Sequence, residues 1–282
     1  MRPSDRHIEI PVHTTHSIPV REIGFSNPAV AVVRKIIASG GKPYDNQCVL
    51  DGYWALQKAA DAGMRIRSFF FCNDFLESET AWALHRRYLA LADECYSVSA
   101  KTFEKLSDRD DPCGMIAVAD FPVHTPDEMR GTPILVVLDQ LETPGNIGTI
   151  LRSCDGAGIG GALVVNQRVR FTHPKLIKGS MGAAFSVPMA SFDSVADCRA
   201  WLAANGYTVY LADTRAEKSL GALEYRFPAA LVCGSERYGI SQEWYDGSEQ
   251  LVKIPMRGTG DSLNVGVAAS IFLYDMAVQL DR

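Results

Sequence analysis

Apolar and polar positions divide the chain into two stretches of alternating strands and helices, joined by a polar segment. In the first, Asn27-Pro28 opens an apolar helix, AVAVVRKIIASGG, which Gly40-Gly41 ends. Proline suits the first turn of a helix and glycine the position past its last. A strand at 47–50 follows, then a helix over about 52–62, the strand IRSFFFC (66–72) and a helix near 77–92. A short strand at 95–98, a short helix at 100–106, the loop SDRDD (107–111) and a strand at 115–119 complete this half. The second half begins with PILVVLD (133–139), a near-continuous apolar run of the kind buried on both faces of a parallel sheet. After it come a helix at about 146–156, the strand ALVVN (162–166) and helices at 174–182 and 193–205. Three more strands, YTVYLAD (207–213), AALVCGSE (229–236) and QLVKIPM (250–256), precede a final apolar helix from 262 to about 280.

This alternation predicts an α/β protein: a smaller α/β domain over 28–122, a linker at 123–132 and an open, largely parallel sheet over 133–282. Residues 1–27 lack sustained periodicity and read as an extended arm. No run approaches the roughly 20 apolar residues that cross a bilayer. MRPSDRHIEIPVH carries no apolar signal core, so a cytoplasmic location is expected. Seven cysteines are scattered singly without a CxxC pair, which argues for reduced thiols and against a bound metal.

The net charge of −5 does not advertise a nucleic-acid partner, so any such footprint must be local. One candidate exists. No acidic residue lies between Asp155 and Asp193, a gap that holds Arg168, Arg170, His173, Lys175 and Lys178. Composition alone makes a solvated loop an equal reading.

Three segments place glycine and polar residues just after a buried strand, the edge where ligands bind in open α/β sheets. In LDQLETPGNIGTILRS (138–153), Asn146 and Gly148 occupy the opening turn of a helix and Arg152 lies nearly two turns on. In LVCGSERYGIS (231–241), Gly234 and Gly239 free the backbone for a turn around Glu236. In IPMRGTGDSLNVGVAASI (254–271), Ser262 and Asn264 begin the last helix. Each has a plain structural reading: a capping Asn, a packing Gly, a glycine turn, a helix cap.

In this order the segments resemble the three signature motifs of the SpoU/TrmH family of RNA methyltransferases. Asn146, Gly148 and Arg152 match the first. Gly234, Glu236 and Gly239 match the second. Ile254-Pro255-Met256 with Ser262-Leu263-Asn264-Val265 match the third. SNPAVAVVRKII (26–37), VLDG (49–52) and DPCGMIAV (111–118) resemble the ribosomal-protein-like substrate domain of many members, so the likeness covers about 25–282. Two positions depart from the family's habit: Asp51 stands where Glu is frequent, and Gly266 where another small polar residue is.

The resemblance implies a trefoil-knotted (SPOUT) C-terminal domain and methyl transfer from S-adenosylmethionine to an RNA ribose 2′-hydroxyl. Ribosomal RNA is favoured over transfer RNA, and the enzyme would be a homodimer in which Arg152 of one subunit completes the other's site. It assigns Leu211, Ala212, Gly234, Ile254, Met256 and Leu263 to the cofactor, and Asn146, Arg152, Glu236, Ser262 and Asn264 to catalysis. Arg168, Arg170, Lys175 and Lys178 become the RNA patch. In the family Arg152 would be the base, but a guanidinium holds its proton to above about pH 12, so orienting the hydroxyl is an equal role. Competing readings fare worse. Gly156-Ala-Gly158-Ile-Gly160-Gly161 fits G-x-G-x-x-G but follows a helix and precedes a strand, the reverse of a dinucleotide site. No G-x-S-x-G elbow supports a hydrolase. A non-catalytic RNA-binding protein that kept the fold should have lost Asn146, Arg152 or Glu236, and all three are present.

Overall fold

The computed structural model describes residues 19–41 and 46–282. Most of the arm expected at 1–27, with its three histidines, therefore lies outside the described residues. The rest of it contributes a strand that periodicity did not reveal, β1 (Val20–Glu22). The first half continues with α1 (Pro28–Ala38), β2 (Gln47–Asp51), α2 (Tyr53–Asp61), β3 (Ile66–Phe71), α3 (Glu79–Leu91), β4 (Ala92–Ser97), α4 (Ala100–Glu104) and β5 (Met115–Asp120). The sheet order is β1-β4-β3-β5-β2, with β1 and β3 parallel to β4 and β5 antiparallel to both neighbours. Local chemistry starts the helices where the sequence reading put them. Asn27 accepts from the Ala29 N–H at 2.9 Å, and Ser78 caps α3 through Ala81.

The second half holds β6 (Ile134–Asp139), α5 (Pro144–Ala157), β7 (Ala162–Val165), α6 (Pro174–Ser180), β8 (Met189–Ser191), α7 (Val195–Ala204), β9 (Thr208–Ala212), β10 (Ala229–Gly234), β11 (Gln250–Val252) and α8 (Val265–Leu280). Every pairing among these strands is parallel, in the order β11-β9-β10-β6-β7-β8. All of β6 is buried, and its alternate residues enter two layers. Ile134, Val136 and Leu138 meet α5 and α8, whereas Leu135 and Val137 pack with Val195, Cys198 and Trp244. Such two-sided burial is why the strand reads as an unbroken apolar run.

The short edge strand β8 was not foreseen. Nor was the packing of the linker, which holds a 3-10 turn (Pro126–Met129) with a Thr125/Glu128 capping box and a fully buried Met129. The decoy glycines join α5 to β7. A Cβ on Gly160 would lie 2.3 Å from Thr132 Cβ, and one on Gly161 would lie 2.6 Å from Met129 Sδ. They are packing glycines. The last helix starts three residues later than expected, at Val265, because the Asn264 side chain accepts from the N–H groups of Gly266 and Val267. Among the described residues, no helix is long and apolar enough to cross a membrane.

Gly148 lets α5 touch α6: a Cβ there would lie 2.6 Å from the Leu176 carbonyl oxygen and 2.8 Å from the backbone of Gly179 and Ser180. Gly148→Ala is expected to cost about 1–3 kcal/mol in denaturant unfolding, because rigid backbone must move aside. His85 is buried among Phe69, Phe71 and Trp82, and neither ring nitrogen has a hydrogen-bond partner. Burial, with a smaller contribution from Arg86, pushes its pKa below the ordinary 6.5. The folded state thus keeps His85 neutral while the unfolded chain takes up a proton. His85 therefore favours folding above pH 6.5, and stability should fall as the pH drops below that value. His85→Leu should flatten this slope in unfolding curves taken from pH 7.5 to 5; an unchanged slope would assign it to other groups.

Candidate active site

The order of the six-stranded sheet reverses at β6, since β7 and β8 lie on one side and β10, β9 and β11 on the other. Loops leaving β6 and β10 therefore diverge and leave a crevice at their C-terminal ends. The register sets Gly234, the last residue of β10, beside Asp139, the last of β6.

Three elements bring polar side chains to this edge. α5 presents Asn146 in its first turn, the turn after β10 presents Glu236, and Asn264 caps α8. Asn146 Nδ2 donates to Glu236 Oε1, and Asn264 Nδ2 donates to Asn146 Oδ1 at 3.2 Å. Asn264 Oδ1 stays on the N–H groups of Gly266 and Val267, so capping and site-building use opposite ends of one amide. The turn is closed by reciprocal backbone hydrogen bonds between Ser235 and Gly239 at 3.1 and 2.9 Å.

Beside this chain of amides lies a cleft of about 410 Å³. Of the residues expected at a cofactor, Ala212, Gly234, Ile254, Met256 and Leu263 line it, as do Glu236 and Ser262. Leu211 does not; it is fully buried in the layer with Trp244, because alternate residues of β9 point to opposite faces. Asn146, Asn264 and Arg152 stand outside the lining, the first two tied to Glu236 as described. Arg152 is exposed on α5 and makes no hydrogen bond or ion pair with any described residue.

One polar cluster in the cleft was missed. Asp213 is buried and accepts from Arg215 Nη2 at 2.8 Å, Arg215 Nε at 3.1 Å, the Arg215 N–H at 2.8 Å and the Tyr245 hydroxyl at 2.6 Å. The Arg215 guanidinium, joined by these other donors, holds the Asp213 carboxyl down at about 2. Burial, with Asp213 as its acceptor, pushes the Tyr245 hydroxyl up to about 12. Asp213 follows a buried strand, which was a signal; Tyr245 lies 32 residues away and gave none.

The basic stretch is exposed but divided. Arg168 and Arg170 line a groove of about 510 Å³ with Phe121, His124 and Phe171. Lys175 and Lys178 flank a separate hollow with Asp51, Asp108 and Arg109. His173, expected beside a phosphate, caps α6 by accepting from the Lys175 N–H at 3.1 Å.

The mixture of apolar wall, glycine backbone and isolated polar groups, at this volume, suits a ligand with one flat apolar part and one charged part. Comparison with known proteins agrees. Residues 133–274 match the SpoU rRNA Methylase family, and residues 27–117 match the MRM3-like substrate binding domain. An uncharacterized tRNA/rRNA methyltransferase of Synechocystis is 26% identical over 88% of this chain and 90% of its own length. A 23S rRNA (uridine(2479)-2′-O)-methyltransferase of Streptomyces viridochromogenes is 31% identical over 60% of this chain and 61% of its own. The fold matches that of an AdoMet-bound rRNA methyltransferase from Sinorhizobium meliloti with a TM-score of 0.80, at 24% identity over 93% of this chain and 98% of that one. The chain belongs to the SpoU rRNA methylase family, and an MRM3-like substrate binding domain precedes its methylase domain.

Proposed function

We propose that this SpoU-family RNA methyltransferase binds S-adenosylmethionine in the cleft between β9, β10 and α8 and methylates a ribose 2′-hydroxyl of ribosomal RNA. The observation that carries the reading is the hydrogen-bonded chain Asn264–Asn146–Glu236 at the side of that cleft. When bound, the cofactor supplies an electrophilic methyl group. The protein's task is to hold one hydroxyl in line with it, and placement of this kind can contribute about 7–11 kcal/mol. Ala212, Gly234, Ile254, Met256 and Leu263 would hold the cofactor, the glycine through its backbone. Glu236 and Ser262 face the cleft with acceptor and donor groups for a ribose, while Asn146 and Asn264 fix the Glu236 carboxylate. Ribosomal RNA is preferred because the Streptomyces relative is named for 23S rRNA and the first half matches a substrate-binding domain. Transfer RNA is the alternative. The exposed Arg168, Arg170, Lys175 and Lys178, joined by Arg109, would meet the RNA backbone. Seven free cysteines, six of them buried, suit a reducing cytoplasm.

A second copy of the chain completes this reading. Val267, Tyr274 and Val278 share one face of α8 and are 46%, 48% and 51% exposed. Thr149, Arg152 and Gly156 share a face of α5. That face borders α8, since a Cβ on Gly266 or Gly156 would meet Thr149 or the Tyr274 hydroxyl. A partner seated on this apolar face would find Arg152 beside it, free to orient the hydroxyl in the partner's cleft. The limits 28–122 and 133–282 are the two domains we assign, with 123–132 between them.

Labelled methyl transfer from S-adenosylmethionine should mark ribosomal RNA at one alkali-resistant position. Arg152→Ala should lower the rate by about 100-fold or more, as loss of orientation does. Label confined to transfer RNA would replace the substrate. Arg152→Ala and Asn146→Ala proteins, each inactive, should recover about a quarter of wild-type activity when unfolded and refolded together, because only mixed dimers hold one intact site. No recovery would place Arg152 in its own subunit's site.

A further inference from the structure

Asp139, the last residue of β6, is completely buried, and nothing in the proposed reaction uses it. Its two carboxyl oxygens serve two different loops. Oδ1 accepts from Asn166 Nδ2 at 2.9 Å, at the head of the segment that carries Arg168 and Arg170. Oδ2 accepts from the backbone N–H of Ser241 at 2.6 Å, just past the turn that carries Glu236. Asn166 Nδ2 also lies 3.3 Å from Ser241 Oγ, which closes a triangle of three residues. Asn166 holds a left-handed φ of 51°, a conformation that Asn and Asp tolerate better than other side chains.

The turn over 235–239 is closed on itself. Its ends are bonded to each other, and it folds back so tightly that a Cβ on Gly234 would lie 2.1 Å from the Gly239 carbonyl carbon. Where Glu236 points therefore depends on how the turn is fastened to the sheet. One end continues β10. The other is fastened by Asp139, with Gln140 Nε2 near the Gly239 carbonyl at 3.4 Å. A buried carboxyl is costly unless its acceptors are filled. Here both are filled by loops that would otherwise be independent.

We propose that Asp139 is a positioning residue. Through Ser241 it holds the turn so that Glu236 meets Asn146, and through Asn166 it anchors the Arg168–Arg170 segment to the same point. The effect on ligand binding rests on the reading of the cleft as the cofactor site; the effect on the turn does not.

The test is an exchange of the two side chains. In Asp139→Asn, the new amide opposes either Asn166 Nδ2 or the Ser241 N–H, donor against donor. In the double variant Asp139→Asn/Asn166→Asp, the side-chain carbonyl at position 139 can accept from the Ser241 N–H. The amide nitrogen there can donate to the carboxylate oxygen that replaces Asn166 Nδ2, and the same oxygen can accept from the Ser241 hydroxyl. Two quantities are read: hydrogen exchange of residues 235–241 without ligand, and affinity for S-adenosylhomocysteine. The single variant should speed exchange and weaken binding, each by about 10- to 100-fold, as a buried donor left unpaired predicts. The double variant should return both to within about threefold of wild type, since it re-pairs every donor. Leu135→Ala, which thins the layer on Asp139's face of β6, away from the layer that lines the cleft, should lower stability yet keep the affinity. Wild-type behaviour of Asp139→Asn, no recovery in the double variant, or an equal affinity loss in Leu135→Ala would each overturn the proposal. Asp139-dependent exchange in a wild-type protein that does not bind S-adenosylhomocysteine would support the positioning role and sink the cofactor reading instead.

Discussion

The structure depends on one constraint, the reversal of strand order at the centre of an all-parallel sheet. Because β6 and β10 are parallel neighbours, both must end at the same edge, and the chain must leave them in opposite directions. That edge gathers groups far apart in sequence: Asn146 and Glu236 are 90 positions apart, and Asn146 and Asn264 are 118. Each of the three lies after a different strand (β6, β10 or β11). Since helices cover both faces of the sheet, its C-terminal edge is where side chains can meet a ligand without breaking the core.

The features the sequence expressed well are those in which burial alone sets the pattern. β7 and β10 are apolar throughout, and β6 up to its final Asp139, because both faces are covered, and α5 and α8 show wide apolar faces for the same reason. β1 and β8 escaped notice because each is only three residues long, at an edge, and lacks the longer apolar run QLVKIPM that marked the equally short β11, so pairing with a neighbour defines it and periodicity does not. The polar residues of 123–132 read only as a linker between the two halves. Its order comes from a capping box and from Met129 inserted under Gly161, a contact between distant residues.

The site was legible in its loops and less so in its depth. The plain reading of Gly148 as a packing glycine and of Asn264 as a helix cap is borne out by the contacts, and neither excludes a part in the site. Asn264 shows why: one end of its amide satisfies the start of α8 and the other holds Asn146. Leu211 adjoins the cleft-lining Ala212 in sequence, but one step of the pleat sends its side chain to the opposite layer, so any part it has in the cleft is left to its backbone. Asp213, Arg215 and Tyr245 were invisible as a group because their hydrogen bonds join the end of β9 to a turn beyond β10.

The acidic balance of the chain conflicts less with an RNA substrate than a net charge of −5 suggests. Charges separated by more than about 8–10 Å are largely screened at physiological ionic strength, so acidic residues on distant surfaces weigh little at the binding face. What a polyanion meets is the local arrangement: Arg168 stands exposed on a segment without an acidic residue between Asp155 and Asp193, whereas Lys175 and Lys178 share their hollow with Asp51 and Asp108. That segment begins at Asn166, on the carboxyl that also fastens the Glu236 turn. The position of Arg168 is therefore tied to the sheet edge that forms the cleft.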